Sequence, residues 1–153
     1  MKIWPLIFVA CTIVCWGAYV PTLHQGQQAF GDRNSALRAF LFIGLAYFLV
    51  AGAVLAYMFL FKAEPFELTK GGAGFSTVAG ILGAIGALGI VFAHKMGGKP
   101  IWVAPLVFAG APIINTVVSM IWHRPDAPPS KLFYLGILLA GAGAALALRF
   151  KPI

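Results

Sequence analysis

The chain has 153 residues, of which 61% are hydrophobic and only 10% charged, with a formal net charge of +7 and a mean hydropathy of +0.92. Soluble domains carry about 25% charged residues, so composition excludes an ordinary soluble domain and predicts an all-α integral membrane protein of one domain, residues 1–153. The eleven Lys and Arg are scattered at the ends of apolar runs, which fits membrane insertion and argues against a nucleic-acid partner.

Five apolar runs predict five transmembrane helices, over residues 3–23, 36–61, 74–93, 101–122 and 132–150. The first follows Met1-Lys2 and resembles the core of a signal peptide; it is read here as a retained span. Pro5 suits its first turn and Pro21 marks its end. HQGQQAFGDRNS, 24–35, is expected to be a polar loop, with Ser35 as a helix N-cap. The second run exceeds what a bilayer needs, so tilt is expected. KAEPFELTKGGA, 62–73, reads as a loop with Pro65 and a glycine pair as breakers. In the third run Gly80, Gly83, Gly86 and Gly89 recur every three residues. Small residues let helix backbones approach closely in lipid, so this ladder is either a dimerisation face or a packing face within one bundle.

The fourth run, IWVAPLVFAGAPIINTVVSMIW, is the most informative. Its 22 residues hold no Asp, Glu, Lys or Arg, and Trp102 and Trp122 sit near its ends as interface anchors. Pro105 and Pro112 each remove a backbone donor, and Gly110 lies between them. This trio is the candidate hinge. A spanning helix tolerates such positions where neighbours or a water-filled cavity satisfy the freed groups. Asn115, Thr116 and Ser119 follow, with Asn115 and Ser119 four apart on one helical face. They are the candidate substrate-binding residues, beside Trp16 and Tyr19; interhelical hydrogen bonding is the alternative role. Tyr47 is a further aromatic candidate for the same pocket.

The four carboxylates, Asp32, Glu64, Glu67 and Asp126, all fall between the runs, so no intramembrane acid is available as a proton relay. Cys11 and Cys15 share one apolar face and read as packing. His24 and His94 fall on the same membrane face and form a candidate pH-sensitive or metal-binding pair, or two solvated side chains. KGGAGFS lacks the ending of a phosphate loop. No constellation suggests an enzyme, a resident cofactor or a metal centre.

Five spans place the termini on opposite sides. Lys2, Lys62, Lys70, Arg124 and Lys131 lie on one side. Arg33, Arg38, Lys95, Lys99, Arg149 and Lys151 lie on the other. Orientation depends on an asymmetry of such charges, and five against six is nearly even. Two readings stay open: insertion in both orientations with pairing as an inverted dimer, or one orientation set by a weak bias.

GAPIINTVVSMIWHRPDAPPSKLFYLGILLAGAGAALAL resembles the last two helices of an EamA-type repeat of the drug/metabolite transporter superfamily. Leu135-Gly136, Leu139 and Gly143 fit its final LGxxLxxxGxxL element. WGAYVP, Trp16 to Pro21, is similar to the tryptophan–glycine signature of its first helix. The resemblance covers the chain as one five-helix repeat where typical members carry two, and His123-Arg124 stands where many members have an acid. It implies a small-solute permease for a metabolite, sugar or drug-like compound, working as a homodimer of five-helix halves in a bacterial inner membrane. The alternative is a structural or accessory subunit of a larger membrane complex. The small multidrug resistance proteins, similar in size, depend on a glutamate in their first helix. This chain has no acid there, so carboxylate-driven proton antiport of that kind is not expected.

Overall fold

The computed structural model describes residues 3–31, 35–123, 125 and 127–152. Among the described residues the secondary structure is helical: α1 Ile3–Ala29, α2 Ser35–Phe61, α3 Lys70–Lys95, α4 Pro100–Trp122 and α5 Lys131–Arg149. All five are long and apolar enough to cross a membrane. At about 1.5 Å per residue they measure from roughly 28 to 40 Å, against about 30 Å of hydrocarbon.

Two boundaries differ from the sequence reading in ways that matter. α1 does not stop at Pro21 but continues through it to Ala29. A proline inside a helix removes one backbone hydrogen bond, and here the later turn is anchored by side-chain bonds into α3. The expected 24–35 loop is correspondingly short. α3 begins at Lys70 rather than 74, because Thr69 caps it: Gly72 N–H donates to Thr69 Oγ1 at 3.2 Å. The glycine pair thus lies in the first turn of α3 instead of breaking the chain. Ser130 caps α5 in the same way, accepting from Phe133 N–H at 3.3 Å. Pro100 opens α4, a position where a missing N–H costs nothing, and α4 runs unbroken through Pro105 and Pro112.

Left-handed residues close the first three helices: Gly31 at φ 74°, Lys62 at φ 50° and Gly97 at φ 91°. Gly97 N–H returns to His94 C=O at 3.0 Å, satisfying a carbonyl that the helix end would otherwise leave open.

The residues gather into two compact units. Thr22–Gly97 holds the last two turns of α1 with α2 and α3. Phe30 stacks on Phe42 at 5.8 Å between centroids, and the Arg38 guanidinium lies 5.1 Å from the Phe30 centroid. The other unit, Met1–Pro21 with Gly98–Ile153, pairs α4 with α5. There Trp16 meets Phe108 edge-on at 6.0 Å, and the Tyr134 hydroxyl donates to Met120 Sδ at 3.9 Å. Lys151 Nζ sits 4.4 Å above the Trp102 ring.

Buried apolar residues are few: Val20, Leu23, Ala36, Ala39, Ile90, Val91 and Val103. Large side chains such as Phe48, Leu60, Phe75 and Leu138 are more than two-thirds exposed. A chain this apolar that buries so little presents its hydrophobic surface outward along every helix. Glu64 and Glu67 lie exposed between α2 and α3. Asp32, Asp126, Lys2, Arg33 and Arg124 lie outside the described residues.

Candidate functional site

The continuation of α1 past Pro21 builds a polar site. His24, Gln27 and Gln28 are spaced i, i+3, i+4, which puts them on one helical face. That face meets the last turn of α3. Gln27 is buried, and its Nε2 donates to Val91 C=O at 3.0 Å. Its Oε1 therefore faces His94 and accepts from His94 Nδ1 at 2.9 Å. Two buried polar side chains, Gln27 and His94, thus satisfy each other across the α1–α3 contact, as burial requires.

These bonds fix proton positions. With Gln27 Oε1 as acceptor, the hydrogen of His94 is on Nδ1, and Nε2 of the neutral ring holds a lone pair. Gln28 Nε2 lies 3.1 Å from His24 Nε2; an amide NH2 donates, so the hydrogen of His24 is on Nδ1. The rings meet edge-to-face, 4.7 Å between centroids at 75°. His24 Nδ1 and His94 Nε2 are both buried and without a hydrogen-bond partner. One is a donor and the other an acceptor.

Beside this pair lies an open cleft of about 690 Å³, lined by His24, Gln27, Gln28, Gly31, Ser35, His94 and Lys95. Among the described residues the lining holds one fixed positive charge, Lys95, and no carboxylate. Two imidazoles beside an ammonium are a poor cation site: zinc takes three or four N, S or O ligands. Among the described residues no group of three such side chains comes together.

The sequence-derived candidates lie elsewhere. On α4, Asn115 is exposed while Thr116 and Ser119 are half-buried. Thr116 Oγ1 donates to Pro112 C=O at 2.8 Å, so its hydroxyl is engaged by its own helix. Trp16 packs on Phe108, and Tyr19 is half-buried in the same unit. None of these five lines the cleft at His24. Tyr47 is exposed, as are Cys11 and Cys15. The pairing of His24 with His94 agrees with their expected placement on one side. Gln27 and Gln28 are missed as site residues because the 24–35 segment reads as a loop, and the 24/27/28 spacing is their signal; Ser35 reads only as a helix cap and Lys95 only as a charge flanking a span.

Searched against protein-family models, curated proteins and solved structures, the chain finds no match.

Proposed function

We propose that the protein is an integral membrane carrier for a small solute, working as a homodimer of five-helix halves in the manner of the drug/metabolite transporter superfamily. The observation that supports it is the combination of five span-length apolar helices with almost wholly outward hydrophobic faces. Such faces need lipid or a second chain.

The α3 glycines bear on the second chain. A Cβ at Gly80, Gly83, Gly86 or Gly89 would meet nothing within 4 Å. Those positions face open space, whereas Gly141 does not: a Cβ there would lie 3.0 Å from Ile113 Cδ1. Small residues on an open helix face suit close helix–helix approach in a bilayer. The carrier reading takes Asn115, Thr116 and Ser119 with Trp16 and Tyr19 as solute contacts, and Pro105, Gly110 and Pro112 as the flexing part of α4.

The test has two steps. The mass of the protein in mild detergent, measured by light scattering, should be that of two chains. The same preparation in proteoliposomes should then show saturable uptake of at least one solute from a metabolite panel. Co-purification with unrelated subunits and no uptake would instead make it an accessory subunit.

A further inference from the structure

The cleft at the α1–α3 contact has the makings of a ligand site. It is open and lined by polar side chains, and among the described residues the one fixed charge in its lining is positive. His94 is 7% exposed, yet its Nε2 has no partner, and His24 Nδ1 beside it has none. A buried polar atom left unpaired costs about 1–3 kcal/mol, and two such atoms of opposite hydrogen-bonding sense adjoin one cleft.

Electrostatics selects the ligand class. The described charged groups at this end of the unit are Lys95 on α3 and Arg38 in the first turn-and-a-half of α2; His24 is the titratable group from α1. The described acids, Glu64 and Glu67, sit at the other end of the α2–α3 pair. Twenty-seven helical residues separate the ends by about 40 Å, several screening lengths at physiological salt. Asp32 and Arg33 follow the lining residue Gly31 in sequence and lie outside the described residues. Ser35 opens α2 at the rim, and the first amides of a helix have no intrahelical acceptors. An ammonium, a hydroxyl, amide groups and a helix start favour negative charge.

We propose that this cleft binds an oxyanion, phosphate or carboxylate in type, together with one proton. Lys95, Gln28 and Ser35 hold the charged oxygens. His24, half-exposed at the rim, turns aside and donates from Nδ1. The proton lies between His94 Nε2 and a ligand oxygen, carried by the ligand as its hydroxyl or by His94 as imidazolium. No covalent bond of the ligand forms or breaks apart from the one to this shared hydrogen, and that proton is taken from solvent. Gln27 keeps His94 in the tautomer that leaves Nε2 open. The oxyanion can belong to a soluble solute or to the headgroup of an anionic lipid. The inference deepens the carrier reading by naming a solute class. Lys95-dependent binding without flux would keep the site and remove the carrier; flux without such binding would do the reverse.

The experiment titrates the purified full-length protein, in uncharged maltoside detergent at constant ionic strength, with inorganic phosphate by calorimetry. Saturable binding is expected, at least ten-fold weaker in Lys95→Gln and unchanged in Lys70→Gln at the far end of α3. Sulfate, whose charge is constant across the range, is titrated from pH 8 to 5.5. Its affinity should rise toward ten-fold per pH unit, and His94→Gln should flatten the slope. If that variant does not fold, Lys95→Gln and His24→Gln carry the test. A nanodisc arm separates the sources: competition of phosphate binding by phosphatidylglycerol, but not by phosphatidylcholine, assigns the site to a lipid headgroup. No saturable binding of phosphate and no phosphatidylglycerol effect would overturn the proposal. So would binding indifferent to Lys95, or micromolar Zn²⁺ binding lost in His94→Gln in a protein that ignores phosphate.

Discussion

Gln27 and His94 are 67 positions apart in the chain and share a buried hydrogen bond of 2.9 Å. The other end of the same amide donates to Val91 C=O, so one glutamine fastens the end of α1 to the end of α3 through two bonds. In Gln27→Leu the amide is lost, and both His94 Nδ1–H and the second lone pair of Val91 C=O lose their partner. Leaving such a group unpaired costs about 1–3 kcal/mol. The variant should therefore melt several degrees below wild type in detergent. Gln28→Leu, at an exposed position, should melt within a degree or two of it. Equal melting of the two variants would mean that Gln27 is not the fastener.

That bond also explains what the sequence could and could not disclose. The five apolar runs were legible because charge is nearly absent from them, and lipid-length helices need little else. The end of α1 was not, because Pro21 and the polar string behind it carry the local marks of a helix stop. What overrides those marks is tertiary: Gln27 finds its acceptor and its donor on α3, at Val91 C=O and His94 Nδ1. Thr69 shows the converse. Its hydroxyl cap is a local signal, outweighed in the reading by the glycine pair that follows. The two histidines could be placed on one side by counting spans, but their contact depends on a helix continuing through a proline.

Within the homodimer reading, the glycine ladder of α3 is the candidate surface for packing between chains. A Cβ at Gly83 meets open space, while one at Gly141 crowds Ile113. Gly83→Leu should leave the thermal melt of a monomeric, detergent-diluted sample unchanged or slightly higher, since glycine within a helix costs about 0.5–1 kcal/mol relative to alanine. If the protein is the proposed homodimer, the same change should convert the two-chain species to a one-chain species in light scattering. Gly141→Leu should lower the melt without changing the mass of what remains folded. A Gly83→Leu protein that stays dimeric would move the interface away from this face of α3.

Within the carrier reading, Asn115 and Thr116 are adjacent in sequence and expected to differ in effect. The Thr116 hydroxyl already bonds Pro112 C=O, so Thr116→Val forfeits one helix-internal bond and should reduce stability more than solute affinity. Asn115 is exposed on α4, and its amide can meet a solute. Asn115→Ala should raise the KM for uptake in proteoliposomes several-fold, with the melt unchanged. An unaltered KM would take Asn115 out of the solute path.

If the five helices span a membrane as proposed, the charges that set their orientation nearly balance. Within the membrane reading, six Lys and Arg on one side against five on the other is nearly even, which leaves either insertion in both orientations or one orientation set by a weak bias. An inverted pair would then carry both orientations within one dimer. Replacing Cys11 and Cys15 by alanine frees the chain of native thiols, and a single cysteine can be placed at Lys151 or between α2 and α3 at Ala63. Under insertion in both orientations, a membrane-impermeant maleimide added to intact cells should label a substantial fraction of the protein at each site in turn. Adding three lysines beside Glu64 should drive that loop inward and abolish its labelling, while labelling at position 151 rises. Labelling at one site only in the unaltered background would mean a single orientation, and the dimer would then pair its halves in parallel.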